Sequence, residues 1–202
     1  MAETRTIGIY LYDNVEVLDY SGPFEVFSTA SRVKLRLRPD SPEPFTVITV
    51  AATKRPVRAR GDLQTLPHCD LANCPHLDVL IVPGGIVDGE LARDEVIAWI
   101  ARTAARASIT ASVCTGAFLL GKAGLLRGRT ATTHWQDLAN LHASFPGTEI
   151  APGSRWVDEG PIVTAAGVCA GIDMSLHLVA RLEGEELAMR TARQMEYDWQ
   201  EQ

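Results

Sequence analysis

The chain has 202 residues, 46% of them hydrophobic and 22% charged, with 19 basic against 25 acidic residues and a net charge of −6. That length is enough for one domain to bury a core without disulfides or metal, and the composition excludes a disordered chain. The acidic balance argues against nucleic acid or an anionic membrane as a partner. No apolar run approaches the length of a membrane-spanning helix.

The opening Met1-Ala2-Glu3-Thr4-Arg5-Thr6 carries no signal-peptide apolar segment, so a single domain over 1–202 in the cytoplasm is expected. Thr6 to Tyr12 is a short apolar run ended by Asp13-Asn14, a buried strand followed by a turn. A helix follows from Asp19, with Ser21-Gly22-Pro23 read as a cap with proline in the first turn, and Phe24, Val26 and Phe27 as its apolar face. Residues 34–44, with three prolines, read as a loop.

Phe45 to Ala51 is a second strand. Val79 to Val82 is a third, apolar throughout and therefore covered on both faces. Asp94 to Ala107 has helical periodicity, Ile109 to Val113 reads as a strand, and Thr115 to Leu126 as a helix. Arg129 to Thr133 reads as a strand and Gln136 to Ser144 as a helix. Arg155-Trp156-Val157 and Ile162-Val163-Thr164 form two strands joined by Asp-Glu-Gly, and helices over Ala170 to Leu182 and from Glu185 to about Trp199 close the chain.

Alternating strands and helices with unbroken apolar runs predict a mostly parallel sheet wrapped by helices. In such sheets the functional crevice lies outside the carboxyl ends of the strands. Three turns should therefore converge: Asp13 to Asp19, Pro83-Gly84-Gly85, and Cys114-Thr115-Gly116.

The cysteines are Cys69, Cys74, Cys114 and Cys169. In a reducing compartment all are free thiols. Cys69 and Cys74 lie between His68 and His76, but the spacing matches no usual zinc pattern and a second ligand pair is missing, so no metal is expected.

Cys114 sits at the apex of a strand-to-helix junction, Ser112-Val113-Cys114-Thr115-Gly116, which resembles a nucleophile elbow. Its place at a helix N-terminus predicts a thiol biased towards thiolate, the most reactive of the four. The Pro83-Gly84-Gly85 turn can aim an amide N–H at the cysteine, and Gly85 with the Thr115 N–H would make an anion hole. Asp19 reads equally as a helix cap or as a working carboxylate. His134 is either a base for Cys114 or a residue hydrogen-bonded within its surroundings. Trp135, Trp156 and Trp199 read as packing residues.

Together, Leu18-Asp19-Tyr20-Ser21-Gly22-Pro23, Val82-Pro83-Gly84-Gly85, Ala111 to Gly116, Thr132-Thr133-His134-Trp135 and Ala166 to Asp173 resemble the ThiJ/PfpI superfamily over almost the whole chain. The resemblance implies a flavodoxin-like, doubly wound, mostly parallel sheet with helices on both faces, a nucleophile-elbow cysteine and a homodimer. The proteases of that superfamily place His directly after the cysteine; here Thr115 stands there, which argues against peptidase activity. Asp19 in place of the more typical Glu, with Cys-Thr-Gly and Thr-Thr-His-Trp, is similar to the isocyanide hydratases, as is Arg193 to Tyr197.

Carried over, Cys114 is their nucleophile, Asp19 their catalytic carboxylate, and Thr115 the residue beside the thiol. The implied reaction adds water to an isocyanide through a covalent thioimidate, with no metal or organic cofactor. Val168 is the expected wall of a small apolar substrate pocket. The alternatives are the amidase-like sensor domain of AraC-type transcriptional regulators, which carry a helix-turn-helix for which a chain ending at Gln202 has no room, and a general stress-type ThiJ/PfpI hydrolase.

Overall fold

The computed structural model of the chain describes residues 4–200. The expectations attached to the first three residues and to Gln202 lie outside the described residues. In chain order the elements are β1 (Arg5–Leu11), α1 (Val17–Leu37), β2 (Phe45–Ala51), β3 (Val57–Arg58), β4 (Gln64–Thr65), β5 (Cys69–Asp70), β6 (Val79–Val82), α2 (Asp88–Leu91), α3 (Asp94–Ala104), β7 (Ile109–Val113) and α4 (Gly116–Lys122). They continue with β8 (Thr130–Ala131), α5 (Leu138–Ser144), β9 (Glu149–Ile150), β10 (Trp156–Asp158), β11 (Ile162–Ala165), α6 (Ala170–Glu183) and α7 (Glu185–Gln194).

Seven strands form one sheet in the order β10-β11-β7-β6-β1-β2-β5, parallel throughout except for the β10–β11 hairpin at one edge. Every residue of β6 and β7 is buried, as unbroken apolar strands covered on both faces must be. Helices α1, α6 and α7 pack on one another, and α2, α3 and α4 form a second group. This is the mostly parallel, helix-wrapped sheet that the alternating pattern predicts and the flavodoxin-like arrangement that the resemblance implies.

Helix α1 begins before Asp19 and runs beyond the expected loop boundary to Leu37. Lys34-Leu35-Arg36-Leu37 are good helix formers, and the helix stops only where Arg38 precedes Pro39 and is pushed to an extended conformation. Pro23 is therefore the seventh residue of the helix and not a first-turn proline; it offers no N–H to the carbonyl of Asp19. The expected strand over 129–133 shrinks to β8, which leaves the main sheet and pairs with β9.

The last helix also ends earlier than its periodicity suggests. Glu196 takes a left-handed φ of 51°, the Glu196 N–H donates to Arg193 O (3.1 Å), and the Tyr197 N–H donates to Ala192 O (2.9 Å). Those paired bonds are a Schellman stop, which turns the chain back along α6. There Asp173, with no solvent exposure, accepts from Arg155 Nε (2.9 Å), Tyr197 Oη (3.2 Å) and the Gln200 N–H (2.9 Å). Replacing Glu196 with glycine removes the cost of the left-handed conformation, so E196G should raise stability by about 1 kcal/mol in a urea titration with an unchanged slope.

Candidate active site

The three predicted turns do converge. Val15 pairs with Gly85 in an isolated bridge, the Glu16 N–H donates to Gly84 O (2.9 Å), and the Ile86 N–H donates to Asn14 O (3.1 Å). These bonds lay the loop after β1 across the end of β6. On the other side the turn after β7 is stitched in: the Gly85 N–H donates to Thr115 Oγ1 (2.9 Å) and the Thr115 hydroxyl to Gly85 O (2.9 Å).

Gly84 is the pivot. A Cβ there would stand 2.6 Å from the Thr115 nitrogen, 2.6 Å from Thr115 Oγ1 and 2.9 Å from Asp19 Oδ2, so only glycine lets the three turns close to this distance. Gly116 is needed for the same reason, since a Cβ there would collide with the Val82 carbonyl.

Asp19 is the third residue of α1 and has no solvent exposure. It does not cap its own helix. Oδ2 accepts the Gly84 N–H at 3.0 Å, while Oδ1 is buried without a hydrogen-bond partner among the described residues; the Cys114 thiol interacts with the same carboxyl group. Burial pushes Asp19 up to about 7, against the opposing pull of the Gly84 N–H. The working-carboxylate reading, not the cap, fits this placement.

Cys114 occupies the turn between β7 and α4 with a left-handed φ of 54°, a conformation that costs a non-glycine residue about 1–2 kcal/mol and is held by its surroundings. Its N–H reaches the carbonyls of Ala165 and Ala166 (both 3.1 Å), and its carbonyl accepts from the Thr133 hydroxyl (2.7 Å). Thr133 thus fixes this turn from behind; in sequence it read as the end of a strand and as part of the Thr132-Thr133-His134-Trp135 motif, with no role of its own.

The expected bias of Cys114 towards thiolate is overturned. Burial, and then the negative charge of Asp19, push its thiol up to about 12, although the N–H and hydroxyl of Thr115 oppose the shift. The side chain is only 8% exposed, and desolvation of an anion outweighs the field of a seven-residue helix. Accessibility also favours Cys169, which is exposed, as the first thiol to be alkylated.

Gly85 is likewise not a free anion-hole donor, because its N–H is committed to Thr115 Oγ1. His134 does not serve Cys114: its Nδ1 accepts from the Gln136 N–H (3.4 Å) and lies 3.9 Å from Asp137. Trp135 is 73% exposed, outside the buried core, and makes a tilted contact with the His134 ring (centroids 5.7 Å apart), whereas Trp156 is buried.

Val168 takes a φ of 46°, strained for a β-branched residue, at the turn before α6. It lines a cavity of about 350 Å³ bordered by Thr133 and Ala166, the residues that grip the Cys114 backbone, and by His134 and Arg155. No group of three or more metal-binding side chains occurs among the described residues. Nor is any described helix long and apolar enough to cross a membrane.

The sequence matches the DJ-1/PfpI family over residues 5–181. The chain belongs to that family. It is 37% identical to the isonitrile hydratase of Pseudomonas putida over 95% of this chain and 78% of that protein. It is 28% identical to the HTH-type transcriptional regulator GbdR of Pseudomonas aeruginosa, over 96% of this chain and about half (51%) of the regulator. Among solved structures, a ThiJ/PfpI family protein from Pseudomonas syringae superimposes with a TM-score of 0.84 at 32% identity, covering 98% of this chain and 77% of that one.

Asp19 and Cys114 titrate as a pair, which holds one proton between about pH 7 and about pH 12. The Asp19 pKa is raised in the fold, so stability present below the unfolded value of about 4 is lost as pH rises through about 7. D19N should flatten this dependence: similar stability to wild type at pH 4, and more stable by about 4 kcal/mol at pH 8, read from chemical denaturation at both values.

Proposed function

We propose that the chain hydrates isocyanides to N-substituted formamides, with Cys114 as nucleophile and Asp19 as proton carrier. The observation that carries this reading is the contact between a buried carboxyl group and an elbow thiol that together hold one proton at neutral pH. The 37% identity to a protein named isonitrile hydratase supports it.

In the pair, the thiol proton passes to Asp19 and the thiolate attacks the terminal carbon of R–N≡C. Asp19 returns the proton to that carbon, which gives the thioimidate R–N=CH–S–Cys114. A water directed by Asp19 then adds to the same carbon as its proton moves through the carboxyl group to nitrogen. The C–S bond breaks, the sulfur leaves with the electron pair, the hydroxyl proton passes through Asp19 to the thiolate, and R–NH–CHO is released. Water is the only co-reactant that the balance requires.

The Thr115 N–H, in contact with the thiol, stabilises negative charge on sulfur, while the Thr115 hydroxyl proton is given to Gly85 O. Val168 and the cavity it lines receive the R group. The protein acts in the cytoplasm as a homodimer on a small molecule, without nucleic acid or membrane partners; sedimentation equilibrium tests the dimer.

A second reading is a ligand-sensing domain, favoured by the 28% identity to a transcriptional regulator over nearly all of this chain. Sensing needs the pocket but not turnover. Incubation with p-nitrophenyl isocyanide separates the two: wild type should release the formamide and C114A none. D19N should turn over roughly two to four orders of magnitude more slowly while remaining folded. Formamide release that survives in C114A would rule out the thioimidate route, and binding without release in wild type would leave the sensor.

A further inference from the structure

Tyr12 lies just beyond β1, 3% exposed, with its ring stacked on Tyr10 (centroids 5.7 Å apart, planes at 25°). Nothing in the proposed reaction uses it. Its hydroxyl donates to Pro83 O at 3.1 Å, and that carbonyl shares a peptide unit with the Gly84 N–H that donates to Asp19 Oδ2 at 3.0 Å. The phenol pulls electron density towards the oxygen of this peptide, and the carboxylate draws on its N–H. Both act in the same sense, so each bond strengthens the other.

We infer that Tyr12 is a positioning residue which, through the Pro83–Gly84 peptide, sets the proton affinity of Asp19 and hence of the Asp19–Cys114 pair. The inference rests on Asp19 and Cys114 sharing a proton, and deepens the proposed function.

Three observations make the chain of contacts directional. Burial, followed by the charges of Asp19 and Glu90, drives the Tyr12 phenol well above its ordinary value, so the hydroxyl stays protonated and always donates. The next peptide, Gly84–Gly85, is held on both sides, by the Glu16 N–H on Gly84 O and by Thr115 Oγ1 on the Gly85 N–H, which anchors the Pro83–Gly84 peptide at its carboxyl end. Among the described residues Asp19 Oδ1 has no hydrogen-bond partner, which leaves the Cys114 thiol as the other group on the carboxyl.

The other groups that act on the carboxyl group are Glu16 ahead of α1, Arg60 between β3 and β4, and Cys114 in the turn after β7. Tyr12 itself faces Glu90 of α2 and, through the stacked ring, Tyr10 of β1. Y12F leaves all of these charges in place and removes only the hydroxyl.

The test is the rate of iodoacetamide labelling of Cys114 against pH, resolved by peptide mass spectrometry so that Cys169 and Cys74 do not interfere. In wild type the rate should rise through a midpoint near pH 7, as the pair loses its first proton, and then level off. In D19N the step should vanish. In Y12F, weaker donation from Gly84 destabilises the carboxylate, so the midpoint should move up by roughly 0.3–1 pH unit while the thermal midpoint stays close to wild type.

An unmoved step in Y12F overturns the inference, as does a wild type with no step or a step that persists in D19N. The readout needs no isocyanide. A step that moves in a protein without formamide release would sink the hydratase reading and keep Tyr12 in its role.

Discussion

A carboxyl group withdrawn completely from water must be met by donors, and for Asp19 the backbone donor among the described residues is the Gly84 N–H, beside the Cys114 thiol. That bond exists only because β6 ends in a residue without a side chain; a methyl group at Gly84 would press on Thr115 and on Asp19 itself. Around it, the loop after β1 is tied to the Gly84–Gly85 turn by backbone bonds and the turn after β7 is tied to it by the Thr115 hydroxyl. Cys114 is thereby placed against Asp19 by three strand ends that are far apart in sequence. The sheet order, with β1, β6 and β7 side by side in its middle, makes this convergence possible.

The site's electrostatics follow from burial more than from dipoles. A thiol at a helix start in water would shed its proton readily, but Cys114 is folded under its neighbours beside a second acid. Two acidic groups in one dry pocket cannot both ionise cheaply, so a single proton is left to move between them. Such a pair can both give and take a proton near neutral pH.

Much of this arrangement was legible in the residues. The apolar runs at Phe45 to Ala51, Val79 to Val82 and Ile109 to Val113 coincide with β2, β6 and β7, because strands buried on both faces leave no polar alternation to confuse. Turn residues at the ends of β1, β6 and β7 located the site. What escaped was set by partners distant in sequence. Arg129 to Thr133 reads as one strand, yet only Thr130 and Ala131 pair, while Thr133 turns its hydroxyl to the Cys114 carbonyl. Asp19 reads equally as a cap or a working carboxylate because capping is local, and only the arrival of the Gly84 N–H removes the cap. Gly85 has the backbone freedom expected of it, but the Thr115 hydroxyl, invisible as an acceptor in sequence, takes its N–H. Tyr12 carried no motif at all.

The reversal at Glu196 has a mechanical consequence. With Tyr197 and Gln200 fastened to Asp173, the α6–α7 hairpin becomes a closed loop whose far side is bonded near the start of α6. Arg155, which precedes β10, holds the same carboxylate, so the sheet-edge hairpin shares the fastening. Local opening of this region cannot begin by fraying from residue 200 inward; it must first release a buried carboxylate from several donors at once. Backbone amides of α7 should therefore exchange with solvent at rates closer to those of α6 than of a terminal helix, which gives the turn carrying Val168 a rigid floor.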